Sequence, residues 1–455
     1  MRDRLAAAVD ADTDRVWGDL ADLVAIPSVA DPDQYPLEEC HRAARWVRDA
    51  FAELGFDDAR LVETSDGTHA VLGERPGPPG APTVLLYAHY DVQPPLDETA
   101  WTSPPFTLTE RDGRWYGRGA SDCKGNILAH LTALRALRTL DGDLPVHLKL
   151  VVEGSEEQGT GGLEDYLRRH PEELRADVIL VCDAGNAAVG EPAATVSLRG
   201  VTDLVVRVET LASELHSGAF GGAAPDALVA LVHVLSTLWD DQGQTTIDGL
   251  DDGGTWSGRP YDTERFRRDA QVLDGVELLG RGTVGDQIWA RPALTVLGID
   301  SPPVDGAAAV VQPRAAARLS LRVPPGIDPL RAQNALAGHL ERAAPWGARL
   351  SVERGPVAMP FLAATDGPAF TAMAGAMRDA YDRDMSLLGL GGSIPLCNVF
   401  AELYPDAEII LMGVEEPQCL IHAPDESVAP EEIARVALTE ALFLHRGAGR
   451  LTTAP

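Results

Sequence analysis

The stretch TVLLYAHYDVQP, residues 83–94, decides the fold class of the first part of the chain. Its apolar, partly β-branched beginning predicts a buried strand, which Gln93 and Pro94 end. His89 and Asp91 therefore lie at a strand end, and residues at i and i+2 of a strand point to the same side. A metal ligand and a neighbour that orients it need this arrangement. The stretch thus predicts a strand whose carboxyl end carries polar chemistry.

Similar apolar runs follow at residues 145–154 and 177–185, and helical stretches separate them. Alternating strands and helices are typical of βα units, so we predict an α/β fold with a mostly parallel sheet flanked by helices. After residue 195 the runs VTDLVVRVET and ARLSLRVP alternate like strands exposed on one face. Near residue 359 the βα character resumes. We predict one larger domain formed by 1–195 and 359–455, with a smaller α+β domain, 196–358, inserted in it.

Composition excludes several classes of function. The 455 residues include 38 basic and 69 acidic side chains, a formal charge of -31 that disfavours binding to nucleic acid and to anionic membranes. The five cysteines are far apart and lack CxxC spacing, which argues against a disulfide framework or a cysteine zinc site. No run approaches the ~20 apolar residues of a membrane span. We predict a soluble cytoplasmic protein.

Polar residues cluster at the predicted strand ends. They are His89, Asp122, Glu156, Glu157, Asp183 and, near the C-terminus, His422. Imidazoles and carboxylates without thiolates form the ligand set of a divalent first-row metal, most plausibly zinc. One further bridging carboxylate would make room for two metals, as in hydrolases that use a metal pair to activate water and polarise a carbonyl.

Five segments carry a family resemblance: YAHYDVQP, GRGASDCKGN, EGSEEQGTGG, VCDAG and HAPDE. In this order and spacing the chain resembles the dinuclear zinc exopeptidases, which include carnosine dipeptidases, aminoacylases, glutamate carboxypeptidases and succinyl-diaminopimelate desuccinylases. The likeness covers essentially the whole chain and is strongest to the dipeptidase branch. It implies a catalytic domain with an inserted lid and dimerisation domain.

The resemblance implies a ligand set for two zinc ions, with manganese or cobalt as substitutes. The set is His89 and Asp183 at one ion, Glu157 and His422 at the other, and Asp122 bridging both. The resemblance also implies that Glu156 is the general base, that Asp91 orients His89 without touching metal, and that the peptide after Asp122 is cis.

The inserted domain contributes further residues by the same resemblance. His216, in LASELHSGAFGG, matches a histidine that reaches the active site of the partner subunit and polarises the scissile carbonyl, which implies a homodimer. Arg322 matches an arginine that binds the free carboxylate of the substrate. Gly391, Gly392 and Ser393, in GLGGSIP, match a substrate-binding loop of the dipeptidase branch.

Two departures from the family pattern stand out. Relatives often carry Asn or Thr where this chain has GAAAVVQP, 306–313, so a polar substrate contact is missing there. Relatives also commonly read HAPNE where this chain reads HAPDE, so Asp425 adds negative charge near the second metal.

Three functions remain open on the sequence alone. The leading prediction is metal-dependent hydrolysis of dipeptides or small peptides with a free carboxylate. The first alternative is an amidohydrolase that removes an N-acyl or N-carbamoyl group from an amino acid. The second is a metal-binding dimeric scaffold without catalysis, against which Glu156 beside Glu157 argues, because a scaffold needs no general base.

Overall fold

The chain divides into two compact units in a computed structural model that describes residues 1–140, 144–251 and 253–449. Unit 1 comprises Met1–Val196, Ala363–Leu388 and the chain from Ile394, and unit 2 comprises Ser197–Leu362 and Gly389–Ser393. Unit 1 thus resumes at Ala363, not at residue 359. The glycine-rich segment 389–393 groups with unit 2, whereas the sequence placed it in the larger domain; the backbone N–H of Arg199 donates to the carbonyl of Leu390 there.

The described residues form 12 α-helices and 18 strands. The helices are α1 Arg2–Ala11, α2 Thr13–Val24, α3 Glu38–Ala52, α4 Lys124–Arg138, α5 Gly162–Arg169, α6 Ser217–Phe220, α7 Ala227–Ser236, α8 Thr263–Asp269, α9 Pro329–Arg342, α10 Pro368–Tyr381, α11 Pro395–Leu403 and α12 Pro430–His445. The strands are β1 Arg60–Glu63, β2 His69–Arg75, β3 Thr83–His89, β4 Thr109–Arg111, β5 Arg114–Tyr116, β6 His147–Glu153, β7 Val178–Cys182, β8 Ala193–Leu198, β9 Gly200–Glu209, β10 Leu215–His216, β11 Ala293–Asp300, β12 Val310–Val311, β13 Arg314–Val323, β14 Arg349–Ala358, β15 Phe361–Leu362, β16 Ser386–Leu390, β17 Glu408–Met412 and β18 Ser427–Val428.

The sheet of unit 1 positions the polar strand ends. Its order is β1-β2-β6-β3-β7-β17-β8, and the four central strands, β6, β3, β7 and β17, run parallel. Every residue of β7 is buried, because helices cover both faces of a parallel sheet. Helix α4 is buried along nearly its whole length and packs against α12. The carboxyl ends of β3, β6 and β7 therefore open at one edge of the sheet, where a ligand site is expected.

Unit 2 has its own sheet and core. Its four antiparallel strands have the order β11-β13-β9-β14, and α7 and α9 pack on one face. Buried and half-buried residues alternate along β9, so only one face of this sheet is fully buried. The short strands β10 and β12 pair separately. This arrangement leaves β11 and β14 as the edge strands of the four-stranded sheet.

All five cysteines are buried and unpaired. Among the described helices, none combines the length and the apolar composition that crossing a bilayer requires.

Candidate metal centre

Side chains from two strand ends and from the turn before α4 converge in unit 1. His89 ends β3, and its Nε2 lies 3.0 Å from Asp122 Oδ1 and 3.1 Å from Asp183 Oδ1. Asp122 precedes α4 and joins its neighbour Cys123 by a cis peptide, and Asp183 directly follows β7. All three ligand side chains are at most 9% exposed. One imidazole and two carboxylates thus face a common point.

A second group meets the other oxygen of Asp122. His422 Nε2 lies 3.0 Å from Asp122 Oδ2 and 3.0 Å from Glu157 Oε2. Asp122 therefore presents one oxygen to each histidine, which is the placement that a carboxylate between two metal ions requires. The structure brings together all five residues of the predicted ligand set.

Asp91 lies behind these ligands and connects two of them. Its backbone carbonyl is 3.1 Å and its carboxylate 3.3 Å from Nδ1 of His89. The same carboxylate accepts hydrogen bonds from the backbone N–H groups of Glu156 at 3.2 Å and Glu157 at 3.0 Å. These contacts of Nδ1 leave Nε2 of His89 facing Asp122 and Asp183.

The candidate site holds several buried carboxylates close to one another, and their pKa values are shifted. Burial, followed by the charge of Asp183, raises the pKa of Glu156 well above its usual value. Burial and the charge of Asp122 raise the pKa of Glu157 to about 7. Hydrogen bonds to Asp122 and Glu157 raise the pKa of His422 to about 11. Buried carboxylates that repel one another need positive charge, and divalent ions supply it. This donor set fits two such ions.

The sequence matches the family described as Peptidase family M20/M25/M40 over residues 85–446. The chain belongs to this peptidase family. It is 44% identical to the cysteinylglycine-S-conjugate dipeptidase of Corynebacterium striatum, over 95% of each chain. It is 30% identical to a Cys-Gly metallodipeptidase of Schizosaccharomyces pombe, over 75% of each chain. The crystal structure of human carnosine dipeptidase 1 superposes with a TM-score of 0.82 at 26% identity, covering 98% of both chains.

These similarities confirm the predicted family, the α/β fold class and a metallodipeptidase as the enzyme class. They do not favour the deacylase alternative, since the relatives named above are dipeptidases.

A buried ion pair holds the turn that carries Asp122, and the sequence did not reveal it. Glu426 Oε2 accepts from Arg118 Nη1 at 2.6 Å and from the backbone of Gly119 at 3.0 Å. Glu426 Oε1 accepts from the backbone N–H groups of Ser121 and Asp122, each at 3.1 Å. Both charged side chains are 1% exposed. Glu426 is the last letter of HAPDE, so the motif contained it without indicating its role.

Glu415 is a further carboxylate at this peptidase centre that the sequence analysis missed. It is 7% exposed, and one of its oxygens lies within 4.8 Å of ligand oxygens of both Asp122 and Asp183. Asn126 Nδ2 donates to Glu415 Oε1 at 3.4 Å. Glu415 follows strand β17, so the strand-end rule that found Asp183 would have found it as well.

The charge of Asp425 is compensated locally, which corrects the expectation that it adds negative charge near the second metal. Its carboxylate accepts from Arg111 Nη2 at 3.0 Å and from the backbone and hydroxyl of Thr102 at 3.0 and 2.6 Å. Its φ of +60° lies in the left-handed region, which Asp tolerates better than most residues.

The remaining predicted site residues belong to unit 2. His216 is exposed at the end of β10 and pairs with Val310 of β12. Arg322 is half-buried on β13. The loop Gly391, Gly392 and Ser393 is likewise half-buried.

Proposed function

We propose that this peptidase hydrolyses the peptide bond of dipeptides with a free carboxylate, the cysteinylglycine type foremost. The observation that carries the proposal is Asp122 with one oxygen against each of two imidazoles, beside the buried Glu156. The similarity to a cysteinylglycine-S-conjugate dipeptidase along nearly the whole chain supports the substrate class.

The proposal assigns a metal pair to the five converging residues. His89 and Asp183 would hold one ion, His422 and Glu157 the other, and Asp122 both. Zinc suits imidazole and carboxylate ligands, and manganese and cobalt accept the same set. When bound, such ions polarise the scissile carbonyl and lower the pKa of water toward about 7.

The residues outside the metal-ligand set handle the proton and bind the substrate. Glu156 takes the proton of the attacking water and delivers it to the leaving nitrogen, and Asp91 holds the backbone of Glu156 in place through the 3.2 Å hydrogen bond. His216 of the partner subunit polarises the carbonyl oxygen, and Arg322 binds the terminal carboxylate. The loop Gly391, Gly392 and Ser393 contacts the substrate backbone.

We propose that the enzyme is a homodimer formed through the inserted domain. Two apolar side chains of α7, Val229 and Val232, are each 55% exposed. On the edge strand β11, Leu297 is 55% and Ile299 46% exposed. An exposed edge strand with apolar side chains is a template for pairing with a second copy, and a twofold axis would use the same patch on both chains.

We place the enzyme in the cytoplasm. The support is the set of five buried thiols without a disulfide, the state that reducing compartments maintain. The excess of acidic side chains supports the further proposal that neither nucleic acid nor an anionic membrane is a partner.

Two neighbouring substitutions test the function. Purified protein loaded with zinc, manganese or cobalt is assayed on an S-conjugate of cysteinylglycine, on β-Ala-His and on N-acetyl amino acids. Glu156→Gln should lower kcat by about 10²- to 10⁴-fold and keep two metals per chain, because Glu156 handles the proton.

Glu157→Gln is the matched control, since it neutralises the adjacent carboxylate and should lose metal. Turnover of N-acetyl amino acids alone would favour the deacylase, and no turnover of any substrate by loaded protein would favour the scaffold. Full activity of the Glu156→Gln variant would contradict the assignment of the base.

A further inference from the structure

Arg199 has a guanidinium that the protein leaves without an acceptor. It lies between β8 and β9 in unit 2, and its Nε and Nη1 are buried. Neither nitrogen finds a hydrogen-bond partner in the part of the chain that the structure describes. Buried donors, and charged ones above all, are normally paired, so these two nitrogens on one guanidinium can take an acceptor from outside the chain.

Arg199 directly precedes β9, and the register between β9 and β13 brings Arg322 close to it. Arg322 on β13 pairs with Val201 on β9, and Arg199 is two residues before Val201. Diagonal neighbours on adjacent strands, roughly 7–8 Å apart, are within reach of long side chains. The helices α7 and α9 pack on the face of the sheet opposite to Arg322, the one to which Leu204 contributes its buried side chain.

The two cations repel each other in a partly dry environment. Burial, followed by the charge of Arg322, lowers the pKa of Arg199 to about 10. Burial also lowers the pKa of Arg322, and Asp203 opposes that effect. Neither guanidinium forms an ion pair with a carboxylate among the described residues, although the chain has 69 acidic side chains. Asp203 Oδ1 is itself buried without a partner.

The glycine-rich loop lies against the same guanidinium. The backbone N–H of Arg199 donates to the carbonyl of Leu390 at 3.3 Å. A Cβ on Gly391 would stand 2.9 Å from Arg199 Nη2, so a side chain there would press on the guanidinium. The loop backbone and Arg199 therefore border one small space.

We propose that Arg199 and Arg322 together bind the terminal carboxylate of the substrate, which makes Arg199 a specificity-determining residue. This inference rests on the proposed function, which already assigns the terminal carboxylate to Arg322, and adds Arg199 as a second residue that recognises the same group. An anion between two guanidiniums relieves their repulsion and supplies the acceptors that Arg199 lacks. An amidated or esterified peptide lacks that charge and leaves the cations uncompensated, so it is rejected.

Arg199→Met removes the cation and keeps a long side chain, and Arg199→Lys keeps the charge without the planar fork. Arg207→Met is the matched control, because Arg207 lies on β9 and pairs with Glu353 on the surface. The three variants and the wild type are assayed on alanylglycine and on its C-terminal amide. Melting temperatures are measured without substrate.

Arg199→Met should raise KM for alanylglycine about 10- to 100-fold and leave the low kcat/KM for the amide unchanged. Arg199→Lys should recover part of the loss, and Arg207→Met should match the wild type. The melting temperature of Arg199→Met should equal or exceed that of the wild type, because the substitution removes a buried charge that lacks a partner.

An unchanged KM, an equal loss on the amide, or a lower melting temperature in both Arg199 variants would overturn the role of Arg199 and leave the proposed function intact. Absence of dipeptide turnover by the wild type would overturn the proposed function and this inference with it.

Discussion

The buried pair of Arg118 and Glu426 should be among the most sensitive points of the fold. Removing one partner of a buried ion pair costs about 3–5 kcal/mol, because the other charge stays buried and uncompensated. Glu426→Gln keeps one oxygen for the backbone N–H groups of Ser121 and Asp122. Its amide N–H₂ then faces two donors, Arg118 Nη1 and the N–H of Gly119. We therefore expect Glu426→Gln to lower the free energy of unfolding by at least about 3 kcal/mol.

The free energy of unfolding is measured by urea titration of the metal-free protein, because bound metal would add its own stabilisation. The control is Glu402→Gln, which breaks a surface pair with Arg168 whose side chains are 61% and 46% exposed. Such exposed pairs contribute about 0–1 kcal/mol. A loss below about 1 kcal/mol for Glu426→Gln would refute the argument that this pair fixes the turn of Asp122.

Three further outcomes follow from the site and from unit 2. Chelation should abolish activity, and zinc, manganese or cobalt should restore it; activity that survives complete metal removal would contradict the metal site. In metal-free protein the pKa of His422 is raised from 6.5 to about 11, because the protonated ring is hydrogen-bonded to Asp122 and Glu157. Protonated His422 therefore contributes fully to the free energy of unfolding below pH 6.5, and this contribution is lost as the pH rises through 11. At pH 7 a metal must displace that proton, so metal affinity should rise with pH, and calorimetry in buffers of different ionisation enthalpy should detect proton release. The proposed homodimer should become a monomer in analytical ultracentrifugation on Val232→Glu, whereas Leu273→Glu, at a residue 76% exposed outside α7 and β11, should leave it intact; a wild type that sediments as a monomer would contradict the proposal.

The strand-end residues could be predicted from sequence because the signal is local. A buried apolar run fixes each strand, and parallel strands bring their carboxyl ends to one edge, so His89 and Asp183 meet although 94 positions separate them. The same search for polar residues at predicted strand ends also found Asp122, Glu157 and His422, and the family resemblance then implied a place for each in the ligand set. The structure places these five side chains together.

The supporting residues were missed because their partners are distant in the chain. Glu426 and the backbone of Asp122 are 304 positions apart, and no local pattern links them. The sequence does not single out Arg199 as a binding residue either, because Arg322 comes close to it only through the register between β9 and β13. Asp425 was misjudged for the same reason, since its counter-charge, Arg111, is 314 positions away.

Asp91 contacts two separate segments of the candidate metal centre, the end of β3 and the turn after β6. One carboxylate steadies the ring of His89 and, through two backbone amides, the segment that carries Glu156 and Glu157. Because one carboxylate makes all of these contacts, a displacement of Asp91 would act on the His89 ring and on the backbone of residues 156 and 157 at the same time. Asp91→Glu lengthens this side chain by one carbon and should therefore disturb both contacts together.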